Sequence, residues 1–178
     1  MKLFGLAGWS GAGKTTLLKR LIPELVGRGF RVSTVKHAHE GFEIDLPGKD
    51  SYEHRKAGAT EVLIASSRRF AIIHEHRAEP EPNLGALIGK LAPVDLLLVE
   101  GFKRHDHDKL EVHRAANGKA FLHTGDARIV AVATDAPAPN AARPVFHLDE
   151  IARIADFILA HCGLAARRPA PGTTGDSG

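Results

Sequence analysis

The feature that most constrains the fold is a glycine-rich segment, Gly8-Trp9-Ser10-Gly11-Ala12-Gly13-Lys14-Thr15-Thr16, which follows a short apolar run and precedes a helical pattern. Its glycines allow a tight turn whose backbone N–H groups point inward, where a Cβ would block an anion. A helix that begins near Lys14 adds its positive dipole end to this cradle. The segment therefore predicts a phosphate-binding loop between a strand and a helix, rather than an ordinary glycine-rich turn.

The side chains of this loop indicate a nucleoside triphosphate with Mg²⁺. Lys14 is placed to reach the β- and γ-phosphates, and the hydroxyl of Thr15 is placed to ligate Mg²⁺. The other residues expected to line the phosphates are Gly8, Ser10, Gly11, Ala12, Gly13 and Thr16. A triphosphate site is thus the most direct functional prediction from the residues themselves.

Apolar periodicity in the rest of the chain predicts an α/β fold. A helical pattern over Leu17–Val26 is followed by a strand pattern over Arg31–Lys36, and a strand-helix-strand unit of this kind makes its strands parallel. The unbroken apolar run at Asp95–Glu100 predicts a central strand that is buried on both faces, and Ile129–Ala133 predicts another buried strand. A last amphipathic helix is expected from Ile151.

Two antiparallel hairpins are also predicted, because short turn-forming connections join strand-like segments. The first joins Glu61–Ala65 to Phe70–His74, and the second joins Leu110–His113 to Lys119–His123 through the turn Asn117-Gly118. The expected architecture is a mostly parallel central sheet flanked by helices, with antiparallel hairpin additions. We expect one domain over residues 1–163, followed by a disordered tail over 164–178 with nothing to bury.

Composition and charge indicate the cellular compartment of the protein and the classes of partner it is expected to bind. The net charge of +3 is mild and is spread along the chain, so charge alone neither indicates nor excludes nucleic-acid binding, and no nucleic-acid partner is expected. No apolar run approaches the ~20 residues of a membrane span, and Met1 leads directly into the first strand. The single Cys162 cannot form an internal disulfide, which fits a reducing compartment. A cytoplasmic protein without a membrane partner is therefore expected.

Charged residues follow the strands that should end beside the loop. Glu100 closes the central strand, where P-loop proteins place the carboxylate that holds Mg²⁺ directly or through water; a turn cap is the alternative role. The polar segment Lys36–Ser51 leaves the carboxyl end of the second strand, the edge at which ligands bind in α/β sheets. Its two His, two Asp and two Lys are candidates to bind phosphate, Mg²⁺ or a second substrate.

Three further features can be explained by an ordinary structural role as well as by a functional one. The alternating His105-Asp106-His107-Asp108 contains metal-ligand types, but residues two apart in a loop need further partners, and a solvated charge run is commoner. The pair His74 and His76 has the same weakness. Asp135 follows a late buried strand, where guanine-specific P-loop proteins often place a base-binding Asp; a turn-capping role explains it equally well.

Taken together, these motifs resemble the molybdopterin-guanine dinucleotide biosynthesis protein B family, MobB. The resemblance covers roughly residues 2 to 160 and includes the loop Trp9–Thr16, Lys36-His37-x-His39, Asp45-x-Pro47-Gly48-Lys49-Asp50-Ser51, Ala57-Gly58-Ala59, Val99-Glu100-Gly101-Phe102-Lys103 and Ala131-x-Ala133-Thr134-Asp135. The sequence departs from the family at Glu40, where another His is frequent, and in its His- and Asp-rich loop at 105–108.

The resemblance implies a GTP-binding protein with weak GTPase activity in molybdenum-cofactor maturation. Such a protein assists the nucleotidyltransferase MobA, which attaches GMP to molybdopterin, and forms a homodimer. GTP with Mg²⁺ would lie on Gly11–Thr16, with Thr15, Asp45 and Glu100 around the metal. Lys14, Asp45 and Glu100 are the candidate catalytic residues. Lys36 and Lys49 would face phosphates of GTP or of the pterin, and Asp135 the guanine.

Two other functions are compatible with the residues. A metallochaperone GTPase is motivated by the 11 His and the loop at 105–108. An ATP-dependent small-molecule kinase would use the same phosphate loop, but no Arg-rich lid segment is evident in the sequence. Without an evident arginine finger or glutamine, hydrolysis by this chain is expected to be slow.

Overall fold

The computed structural model describes residues 1–38, 42–102, 105–138 and 142–165. His39, Glu40, Lys103 and the tail from residue 166 lie outside these ranges. The chain divides into two compact units, Met1–His37 together with the chain from Ala92 onward, and the intervening segment 38–91. The expectation of one domain over 1–163 stays a prediction.

The larger unit contains a six-stranded parallel sheet. Its strands are β1 (Lys2–Ala7), β2 (Val32–Lys36), β5 (Leu96–Glu100), β6 (Lys109–His113), β7 (Ile129–Thr134) and β8 (Val145–His147), and its helices are α1 (Lys14–Gly27) and α4 (Ile151–His161). The strand order is β2-β5-β1-β6-β7-β8, and every neighbouring pair runs parallel. This arrangement confirms the α/β prediction.

Alternation along the strands places the main core on one face of this sheet. Residues two apart, such as Phe4 with Leu6 and Leu96 with Leu98, join the apolar faces of α1 and α4 in one buried cluster. The intervening residue Leu97 is also fully buried. The central strands are therefore buried on both faces, as the apolar run in β5 predicts.

The smaller unit contains α2 (Asp50–Lys56), β3 (Glu61–Ala65), β4 (Phe70–His74) and α3 (Leu84–Ile88). The two strands pair antiparallel from Glu61 opposite His74 to Ala65 opposite Phe70, so the first hairpin is confirmed. At its turn the Ser66 hydroxyl accepts hydrogen bonds from the backbone N–H groups of Arg68 and Arg69. Several apolar side chains of this hairpin are solvent-exposed.

The second hairpin prediction is wrong. After β6 the chain forms a 3₁₀ turn at Ala115–Asn117, and Lys119–His123 contains no strand. Both edges of β6 are already occupied by parallel pairing with β1 and β7, so no edge remains for a returning strand. The sequence reading also missed β8, whose three residues are too few to show a strand period.

Within the described ranges, no helix is both long and apolar enough to cross a bilayer. The longest, α1, has a polar outer face and packs its buried leucines against the sheet.

Candidate functional site

The phosphate-loop candidate lies between the end of β1 and the start of α1, as predicted. Gly8 has φ +149°, and a Cβ there would lie 2.4 Å from the carbonyl oxygen of Val112 on β6. Gly13 caps α1 in the left-handed region with φ +94°. Both positions therefore require glycine, because one lacks space and the other needs a backbone conformation that other residues rarely adopt.

Lys14 folds back over the loop. Its Nζ donates hydrogen bonds to the carbonyl oxygens of Gly8 at 2.9 Å and Trp9 at 3.0 Å. These bonds hold the ammonium at the loop that precedes the helix N-terminus. The first turn of α1 carries no acidic residue that would compete for an anion.

Thr15 and Glu100 meet at the end of the sheet. The Thr15 hydroxyl donates to the Glu100 carboxylate, with Oγ1 3.3 Å from Oε1. Parallel pairing of β1 with β5 brings them together, because Leu6 lies opposite Glu100 in the ladder. A hydroxyl and a carboxylate oxygen are ligands that Mg²⁺ prefers. The donor set therefore fits a hard divalent cation beside the phosphate loop.

At the end of the neighbouring strand β2, the predicted ligand-binding residues Lys36 and His37 lie next to Gly101 and Phe102. Lys36 lies opposite Glu100 in the ladder, and the His37 N–H donates to the Glu100 carbonyl at 2.9 Å. The His37 ring lies 4.7 Å from that of Phe102, whose φ is +49°. A Cβ on Gly101 would lie 2.9 Å from the Cβ of His37, so this close approach needs glycine.

Asp45 and Lys49 belong to the smaller unit. Asp45 is buried and accepts two hydrogen bonds from Arg55, at 2.5 and 3.3 Å, and this guanidinium lowers the pKa of the Asp45 carboxyl. Arg55 also binds Glu75 at 2.5 Å and Glu43 at 2.9 Å. Lys49 is exposed and caps α2. The roles of Asp45 at Mg²⁺ and of Lys49 at a phosphate stay predictions.

Asp135 closes the turn that follows β6. Its Oδ1 accepts from the backbone N–H of Ala115 at 2.8 Å, and Oδ2 lies 3.6 Å from Nη1 of Arg114. These contacts match the turn-capping interpretation. The base-recognition role of Asp135 stays a prediction.

The sequence reading missed the segment 114–120, which covers the phosphate loop. Trp9 Nε1 donates to the Ala120 carbonyl at 2.8 Å, and Asn117 Nδ2 donates to the Ser10 carbonyl at 3.1 Å. A Cβ on Gly13 would lie 3.4 Å from Nε and Nη2 of Arg114. The guanidinium therefore lies directly beside the loop backbone. No spacing rule marks such isolated polar residues, and the turn signal at Asn117 predicts a hairpin instead.

A buried carboxylate fixes this covering segment to the sheet. Glu111 on β6 is fully buried and accepts from the backbone N–H of Leu122 at 2.6 Å and of His123 at 2.9 Å. It also contacts His123 Nδ1 at 2.9 Å. These bonds satisfy a charge that burial would otherwise penalise strongly. They explain why the chain after β6 packs beside the loop without becoming a strand.

The loop at 105–108 lies at the amino-terminal ends of the central strands, and its Asp side chains form ion pairs there. Asp106 and Asp108 both contact Arg128, and Asp108 also lies 2.8 Å from Nε2 of His161. Both ring nitrogens of His107 are buried without a hydrogen-bond partner. A cavity of about 480 Å³ is lined by this loop and by Lys2 at the start of β1. It therefore lies at the strand ends remote from the phosphate loop.

Comparisons with known proteins agree with this geometry. The family model described as "Molybdopterin guanine dinucleotide synthesis protein B", MobB, matches residues 3–135. The chain belongs to the MobB family. The match includes the phosphate loop, Glu100 and the covering segment.

Individual relatives match over most of their length. The chain is 41% identical over 160 residues to the molybdopterin-guanine dinucleotide biosynthesis adapter protein of Escherichia coli, covering 88% of this chain and 91% of that protein. It is 42% identical to the protein of that name from Haemophilus influenzae, with 88% and 86% covered. A crystal structure of a MobB protein homolog from Bacillus stearothermophilus has TM-score 0.71 at 26% identity, covering 93% of this chain and 100% of that chain.

His107 makes folding stability depend on pH. Burial, followed by the charge of Lys109, lowers its pKa from 6.5 to about 4. The folded state disfavours the protonated His107 ring. The free energy of unfolding therefore keeps its full value above the unfolded pKa of 6.5, and part of it is lost as the pH falls toward 4. We expect His107→Gln to lose less stability than the parent chain between pH 7.5 and 5.0, measured as urea midpoints.

His54→Gln, at an exposed position of α2, is the matched control and should lose as much as the parent chain. An equal loss of stability in His107→Gln and the parent chain over this pH interval would show that His107 is not the responsible group.

Proposed function

We propose that this chain binds GTP with Mg²⁺ and acts as the adapter in the attachment of GMP to molybdopterin, the step that yields molybdopterin guanine dinucleotide. The observation that carries the nucleotide part is the contact between Thr15 on the loop helix and Glu100 at the end of β5. The adapter role is supported by family membership and by the names of the Escherichia coli and Haemophilus influenzae relatives.

In this proposal the phosphates occupy the cradle Gly11–Thr16. The ammonium of Lys14, which now bonds the Gly8 and Trp9 carbonyls, would turn to the β- and γ-phosphates without leaving the loop. Thr15 and Glu100 would hold Mg²⁺, which neutralises charge on those phosphates when bound. The contributions of this chain are positioning and electrostatic stabilisation.

The residues around this centre have more specific proposed roles. Lys36 lies level with Glu100 in the sheet and would face a phosphate of GTP or of the pterin, and Lys49 is retained as a second candidate for that role. Asp45 would join the Mg²⁺ ligands only by exchanging its Arg55 bonds for the metal. Asp135 would accept from guanine while keeping the Ala115 turn closed, since a carboxylate has lone pairs for both.

The same proposal includes two protein partners, a second copy of this chain and a nucleotidyltransferase. We expect a homodimer that contacts a MobA-type guanylyltransferase in the reducing cytoplasm, where the single Cys162 stays a thiol. The β3–β4 hairpin is the proposed dimer surface: within the described residues it forms a two-stranded sheet of its own, with Leu63 61% and Phe70 70% exposed. Two strands alone are marginally stable, and pairing with a second copy would cover these side chains.

The two alternative functions are less well supported. In the loop at 105–108 that motivates a metallochaperone, the two Asp side chains are engaged with Arg128 and His161, both ring nitrogens of His107 are buried, and the His105 ring packs edge-on against Phe102. The kinase alternative uses ATP as its phosphate donor, whereas the relatives are adapter proteins by name. The choice of nucleotide separates a GTP-binding adapter from an ATP-dependent kinase.

Calorimetric titration of the full chain with GTP and with ATP, both with Mg²⁺, tests the proposal. We expect GTP to bind more tightly than ATP, and Lys14→Ala to weaken GTP binding about 10- to 100-fold, the value of a lost charge-assisted hydrogen bond. Lys19→Ala, an exposed lysine of the same helix, is the matched control. Equal affinity of Lys14→Ala and the parent chain for GTP would overturn the proposed cradle, and tighter ATP binding would favour the kinase.

Arg114 is the residue best placed to assist hydrolysis of the bound nucleotide. Its guanidinium lies against Gly13 and is oriented by Asp135, so charge developing on a phosphate in the cradle would face it. We expect Arg114→Ala to reduce the single-turnover GTPase rate at least about tenfold, as for arginines that act in cis. GTP affinity should fall much less, and Arg114→Lys should restore part of the rate. An unchanged rate in Arg114→Ala would exclude this role.

A further inference from the structure

The smaller unit places three metal-ligand side chains together at the end of β4. His74 is the last residue of the strand, and His76 and Glu79 follow in the next turn. One ligand atom from each lies within 4.8 Å of the others. The centroids of the two imidazole rings are 5.1 Å apart. Among the described residues this is the group with the donor types and spacing of a metal site.

The turn that creates this cluster is held by its backbone. Arg77 has φ +46°, in a region that non-glycine residues rarely occupy, and the Glu79 N–H bonds the His76 carbonyl at 2.6 Å. The Arg77 guanidinium in turn donates to the carbonyls of Arg55 and Ala59 at 3.2 and 3.0 Å. These contacts fold Glu79 back toward His74 and fix the spacing of the cluster.

Glu61 supplies the supporting contact that metal-binding histidines usually have. It lies opposite His74 in the β3–β4 ladder, and its Oε1 is 2.8 Å from His74 Nδ1. Nε2 of the same ring is then directed to Glu79, 3.3 Å from Oε2. A carboxylate on one ring nitrogen fixes the tautomer and aims the other nitrogen at a metal. The same two carboxylates raise the pKa of His74, so a proton and a metal ion compete for this position.

We propose that His74, His76 and Glu79 bind a divalent transition-metal ion of the Zn²⁺ type, with Glu61 orienting His74. Two imidazoles and one carboxylate are a donor set that Zn²⁺ accepts in tetrahedral geometry, with water in the fourth position. Glu79 Oε2 and His74 Nε2 are already 3.3 Å apart, so any separation wider than that of neighbouring ligands on a bound ion involves His76, whose ring would move toward the other two groups on binding. This site is independent of the proposed nucleotide function and uses none of the residues at 105–108.

This site is tested by titrating the full chain with Zn²⁺ alone at pH 7.5 and measuring the binding heat by calorimetry. We expect one equivalent to bind, and His76→Ala and Glu79→Gln to weaken it at least about tenfold, since each removes one of three protein ligands. Glu61→Gln should weaken it about 10- to 100-fold through the orientation of His74. The matched controls His54→Ala and His105→Ala should bind as the parent chain does.

The absorption spectrum of the Co²⁺-loaded chain gives a second measurement that reports geometry. Tetrahedral coordination should give visible bands in the parent chain and in His54→Ala, and these should be lost in His76→Ala. Circular dichroism and GTP affinity should be the same in all variants, which separates a lost metal site from a lost fold or nucleotide site. Zn²⁺ affinity unchanged in both His76→Ala and Glu79→Gln, or no stoichiometric binding by the parent chain, would overturn the proposal.

Discussion

Parallel pairing of β1 with its two neighbours is the constraint on which the candidate site depends. On one side the pairing sets Leu6 level with Glu100, and on the other it sets Ala7 level with Glu111. The phosphate loop begins directly after Ala7. It therefore receives a carboxylate for a cation from β5, and a covering segment anchored by a buried carboxylate from β6. A shift of either register would separate these groups from the loop.

The buried apolar core makes that register unique. Phe4, Leu6 and Leu98 face the cluster formed with α1 and α4, so a slip of one residue would turn the apolar set of a strand to the other face. Glu111 adds a polar requirement, because its oxygens are satisfied only when the segment at Leu122 and His123 lies against it. Packing and hydrogen bonding thus position the chain on both sides of the loop.

Local chemistry explains what could be predicted from the sequence. The glycines and Lys14 of the loop have a spacing that few other structures need, and the apolar run before Glu100 indicates a central strand by itself. Partners distant in sequence leave no such pattern. The Arg55 contact of Asp45, and the approach of Arg114 and Asn117 to the loop, depend on tertiary packing. The Asn117-Gly118 pair indicates that the chain reverses direction. It does not show that both edges of β6 are already paired with other strands.

The most direct test of the central claim is the effect of Mg²⁺ on GTP affinity in the parent chain and in Glu100→Gln. The glutamine keeps the size of the side chain and removes the charge that would hold the ion opposite Thr15. We expect Mg²⁺ to tighten GTP binding by the parent chain and to give little gain in Glu100→Gln, while their affinities without Mg²⁺ stay similar. An equal gain from Mg²⁺ in both proteins would contradict a cation site formed by Thr15 and Glu100.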